Sequence, residues 1–192
     1  LSMATGDAGG NNDLTISDYH IRAEVNPPTT LKADASLDLE VQQGGQRAVL
    51  FELSRFLQIQ KIEADGQPAE FIHNPSIQGT QLAQRGNDLV AVIFPRPLKS
   101  GEHLQLHFAY GGDVLSEAGG GLLYVGARGI WYPNRGLAMA NFDLEFRYPA
   151  GWTLVATGKR AENASPPPGG EQISHWISEK PIPVAGFNLG KY

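Results

Sequence analysis

The stretch ADASLDLEVQ, residues 33–42, decides the fold class because its polarity alternates from one residue to the next. Apolar side chains stand at every second position: Ala33, Ala35, Leu37, Leu39 and Val41. In an extended strand, side chains at alternate positions lie on the same face of the sheet. The stretch therefore predicts a β-strand with one face on a core and the other in water.

The same alternation recurs in NFDLEFRYP (141–149) and EHLQLHFAY (102–110). Further strand-like runs are LTISDYHIRAEV, RAVLFELS, LQIQKIEAD, DLVAVIF, GWTLVATG and EQISHWIS. Clusters of turn-forming residues, such as QQGGQ, ADGQP and KSGE, separate these runs. No amphipathic helix longer than about two turns is expected. Together the patterns predict an all-β, mostly antiparallel domain, built as a β-sandwich or as large curved sheets.

Length and composition set the domain organisation. The chain has 192 residues, 41% of them hydrophobic, which is enough for a sizeable core. We expect a single β-domain over residues 14–192. The small, polar and glycine-rich segment 1–13 is expected to be disordered. It lacks the basic and apolar regions of a signal peptide, and no apolar run approaches the ~20 residues of a membrane helix.

Charge and cysteine content exclude several classes of function. The formal net charge is −5 at pH 7, and the 15 Lys and Arg residues are scattered, which argues against nucleic acid as a partner. The chain has no cysteine, which excludes disulfides and thiolate zinc sites. Many exported domains also lack cysteine, so the composition leaves the compartment open, with export and the cell envelope included.

The histidines do not form a recognisable metal motif. His103 and His107 have the spacing of the two ligands in HExxH, but their segment alternates like a strand rather than a helix. On a strand their rings would lie ~13 Å apart, too far to share one zinc ion. The other three, His20, His73 and His175, stand alone. We therefore expect no metal site and no self-sufficient catalytic group of residues in this chain.

Two other motifs have weak functional content. Gly119–Gly121 is a glycine run without the following Lys and Ser or Thr of a phosphate-binding loop, so it predicts a flexible loop. Asn163 begins a sequence that matches the N-glycosylation tripeptide, a match that is common by chance.

The large aromatic side chains leave two interpretations open. Trp152 and Trp176 lie in strand patterns and are expected to be buried. Trp131 and Tyr132 lie side by side in GIWYPN, residues 129–134, after a glycine-rich segment. They could form a binding platform or fill the core. Because neighbours on a strand face opposite ways, we expect one ring to be buried and the other to be exposed.

Several segments occur in an order that resembles one protein family. They are FPRPLKSGEHLQLHFAYGG (94–112), ARGIWYP (127–133), YPAGWTLVATG (148–158) and PVAGFNLGKY (183–192). This series is similar to the N-terminal domain of M1-family zinc aminopeptidases, the gluzincin group that includes leukotriene A4 hydrolase. The resemblance extends over residues 14–192. It implies a saddle-like, mostly antiparallel β-domain that packs against a separate catalytic domain.

The resemblance also implies where the chemistry would lie. The family's HExxH motif, its distant Glu ligand and its GxMEN motif belong to the catalytic domain that follows, and none occurs in this sequence. This chain would then be a non-catalytic domain, without zinc or another cofactor, that walls the substrate cleft and stabilises the catalytic domain. Its partners would be that domain of the same polypeptide and the parent's peptide substrate. The isolated domain is expected to self-associate through an apolar surface around Pro181–Phe187.

The resemblance places a border of the substrate cleft near GIWYPN. The family's amine-binding acid or Gln would fall in residues 121–126, which hold neither, and 131–136 (WYPNRG) lacks the usual acid, so the parent would be a divergent M1-like peptidase. The candidate border residues are Tyr124, Trp131, Tyr132, Asn134 and Arg135. The alternative is a stand-alone β-sandwich that binds a sugar or a protein through Trp131 and Tyr132, and a purely structural envelope domain is a third possibility.

Overall fold

A computed structural model describes residues 13–161 and 169–191 of the chain. In chain order the elements are β1 (Leu14–Asn26), β2 (Thr30–Val41), β3 (Ala48–Ser54), β4 (Leu57–Ala64), β5 (Gln67–Pro68), β6 (Glu70–Asn74), α1 (Gln81–Gln84), β7 (Asn87–Ile93), β8 (His103–Gly112), β9 (Ser116–Glu117), β10 (Leu123–Tyr124), β11 (Asn141–Pro149), β12 (Thr153–Ala156), β13 (Lys159–Ala161), β14 (Glu171–Ile177) and β15 (Phe187–Gly190). The predicted all-β class is confirmed.

The largest sheet has eight strands in the order β13-β14-β11-β1-β2-β8-β4-β5. Its centre is the antiparallel pair β1 and β2, in which Ala33 lies opposite Ala23 and Leu37 lies opposite Tyr19. β1 and β11 run parallel, whereas the other strand pairs within the described ranges are antiparallel. The expected mostly antiparallel arrangement is therefore confirmed.

Two smaller sheets complete the described architecture. β3, β7 and β6 form a three-stranded sheet, and β12, β15, β10 and β9 form a four-stranded one. The one-turn helix α1 is capped at its N-terminus by Thr80, whose side chain accepts a hydrogen bond from the Ala83 amide at 3.2 Å. It connects β6 to β7 and borders the outer face of the three-stranded sheet. In the described part of the chain no helix is long and apolar enough to cross a membrane.

The core lies on the apolar face that the alternating pattern predicts. In β2 the side chains at positions 31, 33, 35, 37, 39 and 41 are buried, whereas those between them are exposed or half-buried. Phe108 of β8 contacts Phe51 of β3 edge to face, with ring centroids 5.2 Å apart, so the large and the three-stranded sheets share this core.

The outcomes for the remaining sequence expectations differ. Trp176 is buried as expected, but Trp152 is only half-buried. Trp152 packs against the edge of the core, and the Lys191 ammonium lies 4.9 Å from its ring centroid. The expected disorder of segment 1–13 and the sequence match at Asn163 concern residues that fall, apart from residue 13, outside the described ranges.

Candidate functional site

The two adjacent aromatic residues of GIWYPN are both buried. Trp131 is 1% exposed and Tyr132 is 0% exposed, so the expectation that one ring faces solvent is wrong. The physical reason is local: residues 130–133 form no strand, so the alternation of faces that holds along a strand does not apply to them. A sugar-binding or protein-binding platform made of these two rings is therefore not present.

Both rings are fixed by hydrogen bonds to one residue near the end of the chain. The Trp131 indole N–H donates to the Ala185 carbonyl at 2.9 Å, and the Ala185 amide donates to the Tyr132 hydroxyl at 3.3 Å. Trp131 also contacts the ring of Phe187 edge to face, with centroids 5.1 Å apart. Burial raises the pKa of the Tyr132 hydroxyl above its usual value, which keeps it neutral. The two side chains thus tie loop 129–135 to residues 185–187.

A third tyrosine supports the same loop from the large sheet. The Tyr19 hydroxyl of β1 donates to the Pro133 carbonyl at 2.7 Å. Its ring stacks on Phe142 and meets Tyr132 edge to face, at centroid distances of 4.8 Å and 5.1 Å. Burial raises the pKa of Tyr19 well above its ordinary value. The loop therefore rests on a packed aromatic core. The exposed residues lie on either side of it, at 126–127 and 137–139.

The loop runs beside the outer edge of β3 and covers its backbone. The Glu52 amide donates to the Asn134 carbonyl at 2.8 Å, and the Asn134 amide donates back to the Glu52 carbonyl at 3.0 Å. Two residues further along β3, the Ser54 amide donates to the Ile130 carbonyl at 2.9 Å. These bonds satisfy strand-edge groups that would otherwise be unpaired, and they fix the loop against the three-stranded sheet.

Glycine is required at the start of this loop. Gly129 has a φ of +93°, and a Cβ atom there would lie 2.4 Å from Asn87 Oδ1 and 2.7 Å from the Gly86 carbonyl oxygen. That close approach allows Asn87 Oδ1 to accept a hydrogen bond from the Ile130 amide at 2.8 Å. The GI pair of GIWYPN thus anchors the loop to β7.

The loop forms one wall of a groove of about 800 Å³. The outer face of the three-stranded sheet, with Leu50, Glu52 and Leu89, forms the floor. Helix α1 and Arg85 form the opposite wall. We call this space the groove. Of the five candidate border residues, Asn134 and Arg135 line the groove. Trp131 and Tyr132 lie in the core, and Tyr124 is half-buried in β10, opposite Asn188.

The two arginines of the groove have different partners. Arg85 forms an ion pair with Glu52, whose side chain is 17% exposed. Arg135 donates from Nη1 to the Leu50 carbonyl at 2.8 Å, and its guanidinium carbon lies 5.9 Å from the Phe51 ring centroid. Burial lowers the pKa of Arg135 from its ordinary value, and the negative charge of Asp13 opposes that effect. Within the described residues, no carboxylate lies at ion-pair distance from Arg135.

Exposed apolar side chains border the groove. Leu137 is 79% exposed, Met139 is 58% exposed and Val184 is 47% exposed, and Leu137 and Val184 line the groove itself. The apolar surface expected around Pro181–Phe187 is thus present at Val184, whereas Ala185 and Phe187 belong to the core. Large exposed apolar side chains that cluster at a groove are typical of a contact surface.

Four of the five histidines lie on the outer face of the large sheet, whereas His73 belongs to β6 of the three-stranded sheet and contacts Asp88 at 2.8 Å. His107 contacts Asp34 and Glu63, with nitrogen–oxygen distances of 3.0 Å and 3.6 Å. His20 and His175 both contact Asp143, His20 at 3.6 Å. His103 is exposed on the same strand as His107. In residues 13–161 and 169–191, no group of three or more His, Asp or Glu side chains could hold a metal ion.

No protein-family model matches the chain, and no curated protein sequence matches it. Solved structures match it in fold. The M1 zinc metallopeptidase from Deinococcus radiodurans is 20% identical with a TM-score of 0.75, and the match covers 94% of this chain and 43% of that one. A variant of that enzyme bound to a Tyr-Ser-Ala substrate is 21% identical with a TM-score of 0.74, covering 93% and 42%.

Yeast LTA4 hydrolase is 16% identical to this chain with a TM-score of 0.70, and the match covers 93% of this chain and 29% of the hydrolase. The resemblance inferred from the order of sequence segments is therefore confirmed at the level of the fold. This chain spans less than half the length of these structures. It has the fold of the portion of an M1 zinc metallopeptidase that the match covers.

Proposed function

We propose that this chain is a non-catalytic β-domain of an M1-like zinc metallopeptidase and that residues 14–192 form one domain. The observation that carries the proposal is the fold match, which covers 94% of this chain but only 43% of the Deinococcus enzyme. The remainder of such a parent protein would hold a catalytic domain with the zinc ion. The order of motifs from residue 94 to residue 192, which resembles the N-terminal domain of the family, supports the same assignment.

In this proposal the domain walls a substrate cleft and stabilises the catalytic domain. The support comes from the groove, where Asn134 and Arg135 line an open space beside the exposed Leu137 and Val184. Trp131 and Tyr132 have a different part from the one expected: they hold the loop in place from within the core. Tyr124 remains a candidate for the cleft border, since its ring is half-buried.

The proposed reaction of the parent protein is aminopeptidase-type hydrolysis of peptides. A fold neighbour, the Deinococcus enzyme variant, has been solved with a Tyr-Ser-Ala substrate, which supports a peptide as the substrate class. Residues 121–126 carry neither Glu nor Gln to bind a free amine, so we expect a substrate preference that differs from that of ordinary aminopeptidases.

The test compares chain 1–192 with the product of the complete gene. Both are purified without chelators, their zinc content is measured by elemental analysis, and hydrolysis of a panel of aminoacyl 4-nitroanilides and short peptides is followed. We expect equimolar zinc and turnover in the complete product, and neither in chain 1–192. Removal of zinc from the complete product should abolish turnover and its return should restore it.

Two results would contradict the proposal. One is zinc-dependent turnover by chain 1–192 after the removal of contaminating peptidases. The other is a complete gene product that carries no zinc domain and that acquires no hydrolytic activity from any partner chain. In the second case the protein would be a contact module rather than part of a peptidase.

A further inference from the structure

Arg135 has an unusual position in the groove. Its guanidinium is half-buried between the Leu50 carbonyl, to which it donates at 2.8 Å, and the face of the Phe51 ring. A guanidinium group has five N–H donors in a planar fork, and this contact uses one of its nitrogens. Among the described residues no further acceptor is bonded to the other nitrogen atoms, whose N–H groups can bind an anion from the groove.

In residues 13–161 and 169–191, no neighbouring charge pairs directly with Arg135. Glu52, the carboxylate that lines the groove, is engaged by Arg85. Asp13 acts on Arg135 only from beyond ion-pair distance. A cation that is partly removed from water gains most from an anion that binds directly, because the attraction is stronger where water is excluded.

Apolar side chains line part of the groove, beside the polar side chains of Gln81, Gln84, Asn87 and Asn134. Leu50 and Leu89 are half-buried on its floor, and Leu137 and Val184 are exposed at its rim. A small inorganic anion would leave these side chains in contact with water. The occupant that fits both parts has aliphatic groups for the leucines and one negative charge for the guanidinium.

We propose that the groove binds a polypeptide segment whose aliphatic side chains pack on Leu89 and Leu137 and whose Asp or Glu side chain pairs with Arg135. The pairing is bidentate where the fork of the guanidinium faces both carboxylate oxygens. The segment crosses the outer face of the three-stranded sheet, between α1 on one side and residues 134–137 on the other. The inference requires no zinc chemistry, because it rests on the charge and the apolar surface of the groove.

The experiment uses blocked tripeptides, so that a side chain supplies their single charge. ¹⁵N-labelled chain 1–192 is titrated with acetyl-Leu-Glu-Leu-amide and with its neutral isostere acetyl-Leu-Gln-Leu-amide, and amide shifts are followed by NMR. We expect saturable shifts at groove residues such as Ile130 and Leu137, and about tenfold tighter binding of the Glu peptide. A third peptide, acetyl-Leu-Leu-Leu with a free carboxylate, distinguishes a C-terminus from a side chain as the source of the anion.

Three variants show whether Arg135 is responsible. Arg135→Gln should bind the Glu and Gln peptides equally, and Arg135→Lys should retain a preference for the Glu peptide. Arg22→Gln is the matched control, because it removes one positive charge from an exposed position on the large sheet, outside the groove. It should leave the preference unchanged. The dispersion of the NMR spectrum reports whether each variant is folded.

Several outcomes would overturn the proposal. The first is an absence of saturable shifts at the groove, and the second is a folded Arg135→Gln variant that still prefers the Glu peptide. The third is an Arg22→Gln variant that loses this preference as fully as Arg135→Gln does. The fourth is tighter binding of the peptide with the free C-terminus than of the Glu peptide. The zinc and turnover measurements are separate readouts. A peptidase whose groove does not bind the Glu peptide would refute this inference alone, and a groove that binds in a protein without zinc would refute only the proposed function.

Discussion

The outer faces of the large sheet and of the three-stranded sheet differ in chemistry. The face of the large sheet carries polar side chains that pair with one another: His20, Asp34, His107, Asp143 and His175. We call it the polar face. The outer face of the three-stranded sheet carries Leu50, Leu89, Ala91, Ile93 and Ile72, and it continues into the exposed rim at Leu137.

The difference shows which side of the molecule is suited to contact. On the polar face these five side chains already have charged partners, and water solvates what remains exposed. In the groove, half-buried leucines and Arg135, which has no carboxylate partner among the described residues, gain free energy when a partner covers them. The polar face therefore satisfies its own charges, whereas the groove leaves apolar side chains and a guanidinium accessible to a partner. Four predictions test this contrast.

The largest effect is expected below the groove, at Trp131. Trp131→Ala removes a fully buried indole and its hydrogen bond to the Ala185 carbonyl, and the loop that forms the groove wall rests on this side chain. We expect a loss of about 3–5 kcal/mol in the free energy of unfolding, measured by urea denaturation. The control is Trp152→Ala, which removes a half-buried indole and should cost about 1–2 kcal/mol. Equal losses would show that loop 129–135 does not depend on its buried ring.

The second prediction concerns the glycine that starts the loop. Gly129→Ala places a methyl group 2.4 Å from Asn87 Oδ1 at a φ of +93°, and we expect a loss of about 3 kcal/mol. Gly126→Ala is the matched control, because Gly126 precedes the same loop and also has a positive φ, of +117°. A Cβ added there has nothing within 4 Å. It should cost about 1 kcal/mol in the same urea titration. If both variants lose the same free energy, the close approach to β7 does not matter.

Much of the fold could be predicted from the sequence because its main determinant is local. Alternating polarity in residues 33–42, 102–110 and 141–149 predicts strands that the structure contains, and it predicts the wet and dry faces of the large sheet except at Ala109, which is buried. Alternation does not predict the burial of Trp131 and Tyr132, because residues 130–133 form no strand. Burial there is set by Ala185 and Phe187, which are distant in sequence.

The groove could be predicted only in part. The resemblance points to Asn134 and Arg135, but no sequence pattern points to Glu52, Arg85 or Leu89, because the groove joins segments that are far apart along the chain. A signal was present in DLVAVIF, residues 88–94, where the apolar run is continuous rather than alternating. Such a run indicates a strand covered on both faces, and in this structure one of those faces is open.

The third prediction tests the apolar rim by self-association. We expect chain 1–192 to associate at high concentration through the groove rim, because Leu137 and Val184 are exposed there. Leu137→Asp should weaken this association about tenfold without a loss of stability. The control is Gln60→Asp, which adds the same charge at an exposed position of β4 in the large sheet and should have no effect. Sedimentation velocity over a range of concentrations measures the association of the wild-type chain and of the two variants. A wild-type chain that stays monomeric throughout contradicts the prediction.

The smallest effect is expected on the polar face. Asp143→Asn removes the charge that faces His20 and His175, but the Asp143 side chain is 40% exposed and that of His20 is 52% exposed. Water already solvates these groups and salt screens them, so the free energy of unfolding at pH 7 should change by less than about 1 kcal/mol. Urea denaturation at low and high salt checks this, and any loss should shrink as salt is added. The contradicting result is a loss as large as that of Gly129→Ala that does not change with salt. The ion pairs would then contribute strongly to stability, and the polar face would not be the weakly coupled, water-solvated surface described above.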